Sequence, residues 1–139
     1  MYLQFAIENW YLFAMLAVIL LLLTFDPSNR MAGGANKISA AELPQIQARK
    51  SAVVVDVRNE KEFKQGHIEQ SINLPLDNLE TSLKKLNKYR GKPVILICQS
   101  GTRVAKAAGI LKKNEFNELY ALDGGIASWS KENLPLARS

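Results

Sequence analysis

The sequence contains two short, strongly apolar runs that are rich in β-branched residues, Ala52–Val57 and Val94–Ile97. Strands that are buried on both faces of a sheet have this composition, without an alternation of polar and apolar residues. Ser71–Leu74 and Glu118–Leu122 are shorter candidate strands, and helical patterns lie between the strands. This alternation predicts an α/β domain in which a mostly parallel sheet carries helices on both faces.

The predicted helices are recognised by their caps and by their apolar periodicity. Ser39 with Glu42 and Asn59 with Glu62 have capping-box spacing, and Gly66 is placed to end the second of these helices. The remaining candidates are a helix after Asp77 or Asn78 that carries Leu79, Leu83 and Leu86, a helix over Val104–Lys113, and a helix after Gly124-Gly125 that carries Trp129.

Cys98 is the only cysteine in the chain, and it follows the predicted strand Val94–Ile97 directly. A polar loop, Gln99–Thr102, then leads to Arg103 and the next helix. In open α/β sheets, sites lie beyond the carboxyl ends of the strands. Backbone N–H groups and the positive end of a helix dipole stabilise a thiolate at such a position. A lone cysteine is usually an inert buried residue, but this context favours a reactive one.

The N-terminal segment contains 16 residues without a charge, Trp10–Phe25, which as a helix would span about 24 Å. That is slightly short of a hydrocarbon core of about 30 Å, and Phe5–Ile7 could extend the helix past Glu8 and Asn9. A secretory signal peptide would need a basic start, which is missing here. A core helix that is apolar on every face is rare in a domain of this size. We therefore predict that residues 1–25 form one transmembrane helix as an anchor.

Residues 26–37 are rich in Pro, Gly, Ser and Asn and are predicted to be a flexible linker to a folded domain over 38–139. Arg30 and Lys37 follow the apolar run, and no basic residue precedes it. The positive-inside rule then places the domain in the cytoplasm. The expected location is the bacterial inner membrane, with a single membrane crossing.

The charge distribution limits the classes of partner. All 18 Lys and Arg residues lie from Arg30 onward, together with 11 of the 13 acidic residues, so this part carries a net charge of +7. Such a charge suits anionic substrates or acidic lipids, but no cluster of basic and aromatic residues indicates nucleic-acid binding. One histidine and one cysteine without ligand spacing predict no metal site. We expect no cofactor.

Four local motifs resemble those of single-domain rhodaneses, a family of sulfurtransferases. The motifs are Asp56-Val57-Arg58 with Glu62-Phe63, Gly66-His67-Ile68 with Ser71–Pro75, the loop Cys98–Arg103, and Leu122–Gly125 with Trp129. The resemblance covers Ile38 to Pro135 and implies a rhodanese-like fold. The six-residue loop is one residue shorter than in the related phosphatases and arsenate reductases, which makes a phosphatase-like activity less favoured. Gln99 and Thr102-Arg103 resemble the thiosulfate-type loop.

The resemblance implies that Cys98 is the catalytic nucleophile and carries sulfur as a persulfide from a sulfane donor to a thiol acceptor. Substrate binding falls to the loop, namely Gln99, Ser100, Gly101, Thr102 and Arg103. Arg103 either pairs with the anionic donor or holds the loop through an acidic partner such as Glu62. Asp56, Arg58 and Glu62 are expected to form a supporting polar network, and His67 is expected to pack rather than to act as a base.

Two functions from different classes are compatible with these residues. The first is a membrane-anchored, thiosulfate-type sulfurtransferase. The second is a membrane-tethered interaction module of the same fold, which binds a membrane-protein partner. The intact cysteine loop favours the enzyme, whereas the apolar segment favours a partner in or near the membrane.

Overall fold

The computed structural model describes residues 1–24, 31–101 and 103–138. The chain divides into two compact units, Met1–Arg30 and Met31–Ser139. Phe25 of the predicted anchor, residues 26–30 of the predicted linker and Thr102 of the predicted substrate loop lie outside the described residues.

The first unit contains two helices, α1 (Tyr2–Glu8) and α2 (Trp10–Thr24), which meet at an angle of 71°. The break is at Asn9, whose backbone N–H and side-chain Nδ2 both donate to the Phe5 carbonyl oxygen, at 3.0 and 2.8 Å. Asparagine side chains compete in this way with the regular helical bonds. No single described helix is long and apolar enough to cross a membrane, although the bent pair together meets the requirements of length and composition. The predicted single transmembrane helix is therefore not present as one continuous helix of spanning length.

The second unit is built on a six-stranded sheet with the strand order β1-β2-β6-β5-β3-β4. Its strands are β1 (Met31–Ala32), β2 (Ala35–Ile38), β3 (Val53–Asp56), β4 (Ile72–Asn73), β5 (Val94–Ile97) and β6 (Leu119–Leu122). All neighbouring strands are parallel except β1 and β2, which are antiparallel. The predicted α/β fold with a mostly parallel sheet is thus confirmed, and β3 and β5, in which every residue is buried, are paired side by side.

The predicted linker is wrong over residues 31–37, because β1 and β2 form a hairpin that extends the sheet. Gly33 and Gly34 make its two-residue turn, with φ angles of +60° and +97°. Tight hairpin turns require positive φ at both central residues, a conformation that glycine adopts without steric cost. The glycines that suggested a tether therefore serve a tight turn, and the folded domain begins at Met31.

Helices cover both faces of the sheet, as predicted. They are α3 (Glu42–Lys50), α4 (Glu60–Gln65), α5 (Leu79–Ser82), α6 (Val104–Lys113) and α7 (Gly125–Lys131). The helix predicted over 79–86 is replaced by α5 between two 3₁₀ turns, Leu76–Asn78 and Leu83–Tyr89, and its leucines are still buried. One core cluster joins this segment and α6 to the sheet, and the other joins α3 and α7 to the opposite face. β5 lies between β3 and β6, so the residues that follow β5 leave the middle of the sheet.

Candidate active site

Cys98 lies directly after β5 and is completely buried. The backbone N–H of Gly101 donates a hydrogen bond to Cys98 Sγ over 2.6 Å. Gly101 has a φ of +90°, so the loop turns back on itself in a conformation that favours glycine. A backbone N–H that points at sulfur stabilises negative charge on it, and the loop thereby provides a donor for a thiolate.

The start of α7 holds the backbone of the cysteine loop. The N–H of Ile126 donates to the Cys98 carbonyl oxygen over 2.8 Å, and the N–H of Ala127 donates to that of Gln99 over 3.1 Å. Gly125 lies against the same segment, because a Cβ there would overlap the Cys98 carbonyl oxygen and come within 2.8 Å of the Gln99 carbonyl group. The loop is therefore clamped from a helix about 27 residues away in the sequence.

A buried ion pair supports the loop from the neighbouring strand. Asp56, at the end of β3, accepts hydrogen bonds from Arg58 Nε and Nη2, the shortest being 2.8 Å, and both side chains are almost fully buried. Arg58 also donates to the Gly66 carbonyl oxygen over 2.6 Å and to Gln99 Oε1 over 3.3 Å. A buried guanidinium with this many partners connects the first polar motif directly to the loop after Cys98.

Asn73 is a site residue that the sequence analysis did not single out. Its Nδ2 donates to the carbonyl oxygens of Asp56 and Arg58, at 3.1 and 2.9 Å. It thereby holds the backbone on which the buried ion pair is built. Its place in the second motif was visible in the sequence, but a short half-buried strand gave no signal that its side chain bridges two carbonyl groups.

Arg103 and Glu62 connect the other side of the loop to α4. Arg103 Nη1 and Nη2 donate to Glu62 Oε1 and Oε2, each over 3.0 Å. This bidentate bond lowers the pKa of the Glu62 carboxyl group and raises that of the Arg103 guanidinium. Glu62 is in addition the N3 residue of the predicted capping box with Asn59. Of the two roles expected for Arg103, the described contacts are those that hold the loop.

We expect the Glu62→Gln variant to be destabilised by about 1 kcal/mol at neutral pH, because the pair is partly solvent-exposed. The folded-state pKa of Glu62 is lowered, so its stabilising effect is present above the unfolded value and is lost as pH falls through the folded value. The difference in unfolding free energy between the wild-type chain and Glu62→Gln should therefore shrink below pH 4.5, the ordinary pKa of the group. Urea unfolding of the full chain in detergent at several pH values measures this difference.

The matched control for that experiment is Glu60→Gln in the same helix. Glu60 makes an exposed ion pair with Lys64, at 3.1 Å, and no hydrogen bond or ion pair among the described residues joins it to the cysteine loop. Its substitution should change stability by less than that of Glu62. An equal effect at both positions, or a Glu62 difference that persists unchanged in acid, would contradict a specific role for the Arg103 pair.

His67 is held by packing, as expected. Its ring stacks on Phe63, with 3.8 Å between the centroids, and Nδ1–H donates to the Phe63 carbonyl oxygen over 2.8 Å. Its backbone exchanges two hydrogen bonds with Ala137, at 2.9 and 2.7 Å. These contacts join the second motif to the C-terminal segment and do not include a reacting group.

An open cleft of about 360 Å³ lies beside the loop. The residues that line it come from four separate stretches of the domain: Arg58, Glu62, Gln65, Gly66, Gln99, Ile126 and Leu136. It therefore brings the side chain of Gln99 together with the two motifs that precede it. Of the other predicted loop residues, Ser100 is exposed, and Gly101 and Arg103 are half-buried. The structure thus gathers Cys98, Gln99, Gly101 and Arg103 with Asp56, Arg58 and Glu62.

The sequence and the fold are similar to those of known proteins. The chain is 38% identical to the uncharacterised Escherichia coli K12 protein YibN over 102 residues, which are 73% of this chain and 71% of YibN. It is 31% identical to a tRNA uridine(34) hydroxylase from Buchnera aphidicola over 112 residues, which are 78% of this chain and only 35% of that enzyme. A solved structure of a rhodanese-related protein from Thermoplasma volcanium is similar, with 32% identity and a TM-score of 0.61, over 74% of this chain and 98% of that one.

The family assignment rests on most of the folded unit. A family model of the rhodanese-like domain matches residues 39–132, which run from the residue after β2 to the one after α7. All four motifs that resemble rhodanese motifs lie within this range. The chain therefore belongs to the rhodanese-like domain family.

Proposed function

We propose that this protein is a membrane-anchored sulfurtransferase that carries sulfane sulfur as a persulfide on Cys98. The observation that supports this most is the 2.6 Å hydrogen bond from the Gly101 N–H to Cys98 Sγ, at the carboxyl end of the central parallel strand. A sulfur atom held there by a backbone donor is set up to act as a nucleophile in its thiolate form.

In the first step, the Cys98 thiolate attacks the outer sulfur of thiosulfate or of a similar donor. A bond forms between Cys98 Sγ and that sulfur, and the sulfur–sulfur bond of the donor breaks. Sulfite leaves with the electron pair, so the negative charge is conserved and no oxidant is needed. The backbone N–H groups that line the loop stabilise the anionic persulfide in the same way as the thiolate.

In the second step, an acceptor thiolate attacks the terminal sulfur of the persulfide. The acceptor leaves as a persulfide and the Cys98 thiolate is restored. Because the chain has a single cysteine, no internal thiol can take the sulfur. The acceptor is therefore a separate molecule, which reaches the site from outside the domain.

The preference for thiosulfate is supported by the loop. Cys98–Arg103 is short, and it resembles the thiosulfate-type sequence in Gln99 and Thr102-Arg103. Gln99 Oε1 accepts from Arg58 while Arg103 is engaged by Glu62, so both ends of the loop are held. The donor would enter along the cleft beside Gln99 and Ile126, whose N–H holds the Cys98 carbonyl oxygen.

The anchor is supported by the apolar pair α1 and α2, in which no side chain is buried. Arg30 and Lys37 follow it and no basic residue precedes it, which supports a cytoplasmic domain at the bacterial inner membrane. Extraction of membranes with alkaline carbonate should leave the full chain in the pellet. A reporter enzyme that is active only in the cytoplasm should be active when it is fused after Ser139, and a reporter that is active only outside the cytoplasm should be inactive there.

The test of the chemical step is the mass of the full chain after incubation with thiosulfate. We expect one added sulfur atom on Cys98, its removal by cyanide or a thiol, and release of one sulfite per chain. Cysteine persulfide donors serve as a second arm. Loading from these donors but not from thiosulfate would overturn the thiosulfate preference, and no loading from any donor would overturn sulfur transfer.

The complete burial of Cys98 favours a second candidate, the membrane-tethered interaction module. A thiol without exposed surface suits a domain that binds a membrane protein without chemistry. In-cell crosslinking of the full chain, compared with a chain whose Trp10–Phe25 segment is replaced by an unrelated membrane helix, separates the two. A crosslink that is lost with the segment, in a chain that never carries a persulfide, would favour the module.

A further inference from the structure

The segment Leu83–Lys113 contains no acidic residue. It carries nine basic residues: Lys84, Lys85, Lys88, Arg90, Lys92, Arg103, Lys106, Lys112 and Lys113. Arg103 is paired with Glu62, and the other eight are exposed. The domain from Arg30 onward has a net charge of +7, and this segment alone carries +9, so the rest of the domain has a net charge of −2.

The fold collects six of these lysines on one side of the sheet. The 3₁₀ turn Leu83–Tyr89 and α6 bury their apolar residues in the same core cluster. Their exposed lysines, which we call the basic face, therefore point outward into solvent on that side of the sheet. The basic face consists of Lys84, Lys85, Lys88, Lys106, Lys112 and Lys113. Arg90 connects the ends of the two elements, because its Nη1 donates to the Asn114 carbonyl oxygen over 2.9 Å.

On the α6 side of the sheet, acidic residues are fewer than basic ones. On the α3 and α7 side, the two kinds of charge are nearly equal in number. Asp77 and Glu80 line a groove with Lys106, Glu60 lines another with Lys85, and Glu115 follows Leu83–Lys113 in the sequence, so the lysines of the basic face outnumber the carboxylates beside them by six to four. On the opposite side, Lys50 of α3 is paired with Glu118 at 2.6 Å, and Lys131 of α7 is followed by Glu132. The positive potential of the domain is therefore concentrated on one face rather than spread over the surface.

The hairpin that begins the domain lies against the helix of the basic face. A Cβ on Gly33 would overlap the Ala105 carbonyl oxygen of α6, and one on Gly34 would lie 2.7 Å from Lys112 Nζ. Only residues 25–30 separate this hairpin from α2 in the sequence. The covalent connection thus enters the domain beside the basic face.

We propose that the basic face binds the anionic headgroups of the lipid bilayer in which the chain is anchored. Clusters of four to eight basic residues next to a membrane segment bind anionic lipid surfaces in this way. The inference rests on the proposed membrane anchor. It assigns the excess charge to a second, electrostatic contact with the membrane, on the side of the sheet that carries α6.

The alternative polyanion, RNA, is less well matched by the same residues. Single-stranded RNA is bound on exposed aromatic side chains that stack with its bases. The aromatic residues next to the basic face are Tyr89, which is half-buried, and Phe116, which is buried under Arg90. The basic face offers charge without a stacking surface, which is the requirement of a headgroup layer.

The test uses the full chain in vesicles of phosphatidylcholine alone, or with about a quarter of phosphatidylglycerol. Lysines are acetylated with a water-soluble reagent and each site is quantified by mass spectrometry. At about 0.1 M salt we expect the basic face to react roughly threefold more slowly in the anionic vesicles. Lys50 and Lys131 should react equally in both, and the protection should disappear at about 0.5 M salt.

Charge-reversal variants give a matched control. The triple change Lys84→Glu, Lys85→Glu and Lys88→Glu should abolish the protection of the lysines on α6. Arg49→Glu, Lys61→Glu and Lys131→Glu change the net charge equally but lie outside the basic face, and they should preserve that protection. Equal loss in both variants would mean that net charge alone is responsible, which would overturn the proposal.

The outcomes separate this proposal from that of the anchor. The vesicles are also floated through a density gradient, which shows whether the chain stays bound to them. A chain that floats with both kinds of vesicle and shows no protection overturns the lipid contact and leaves the anchor standing. A chain that floats only with anionic vesicles, and is released by salt, supports the lipid contact and overturns the anchor. A chain that floats with neither overturns both. Protection by an added RNA oligonucleotide in neutral vesicles, without protection by anionic lipid, would assign the basic face to nucleic acid.

Discussion

Replacement of Cys98 by serine is expected to abolish sulfur transfer from thiosulfate to cyanide, with a loss in kcat/KM of about 10³-fold or more. A serine hydroxyl has nearly the shape of the thiol but forms no persulfide, so the covalent intermediate is lost. The fold should remain, because the loop is clamped through backbone groups, notably the Cys98 carbonyl oxygen that accepts from Ile126. Initial rates of thiocyanate formation by the full chain in detergent measure the effect.

A second variant shows whether the position of the thiol matters or only its presence. Cys98→Ser combined with Ser130→Cys returns one cysteine to the chain on the exposed side of α7. This thiol lacks the Gly101 donor and the strand end, and it should restore no activity. Activity that survives in Cys98→Ser, or returns with Ser130→Cys, would contradict a catalytic role for the loop.

The Gly125→Ala variant is expected to lose about 3 kcal/mol or more of stability, together with most of its sulfur transfer. Gly125 has a φ of +60°, which an L side chain rarely adopts, and its added methyl group would overlap the Cys98 carbonyl oxygen. Relief of this overlap requires that the start of α7 move away from the cysteine loop. The bonds from Ile126 and Ala127 would be weakened by the same movement.

Gly109→Ala is the matched control for this substitution. Gly109 lies within α6, and a Cβ there would meet nothing within 4 Å. Because glycine is a poor helix former, the change should stabilise the chain by about 0.5–1 kcal/mol. Urea unfolding of the full chain in detergent, followed by tryptophan fluorescence, compares the two variants. Similar stabilities for Gly125→Ala and the wild type would contradict the close approach of α7 to the loop.

The central strands and the long helices could be predicted because the local pattern of apolar residues indicates which of their residues are buried. Val94–Ile97 is apolar at every position, and the structure buries all four residues. Val104, Ala107, Ala108 and Leu111 have helical spacing and form the buried side of α6. For such segments the hydrophobic pattern and the final environment agree, so little information from the rest of the chain is needed.

The hairpin at Met31–Ile38 could not be predicted in the same way. Gly, Asn and Ala are poor strand formers, and here they pair only because β6 supplies a parallel partner more than 80 residues further on. The break at Asn9 has a similar origin, since a side-chain bond to Phe5 interrupts a segment whose composition is continuous. In both cases a specific partner, rather than composition, determines the structure.

The site could be predicted as a set of residues but not as a set of contacts. The resemblance named Asp56, Arg58 and Glu62. Arg58 and Glu62 contact loop residues about 40 positions further on, and Asp56 is held to Arg58 by the buried ion pair. Their roles in the reaction stay predictions. The bonds from Asn73 and from the start of α7 depend on which strand ends are neighbours, and that information appears only in the three-dimensional fold.

Glu62 takes part in two structures at once, since its carboxylate caps α4 and also binds Arg103. The first turn of α4 and the cysteine loop therefore share one set of oxygen atoms. Fraying of this six-residue helix removes a restraint from the loop, and release of the loop removes part of the helix cap. The two segments form one cooperative unit in local opening, and their amide hydrogens should exchange together.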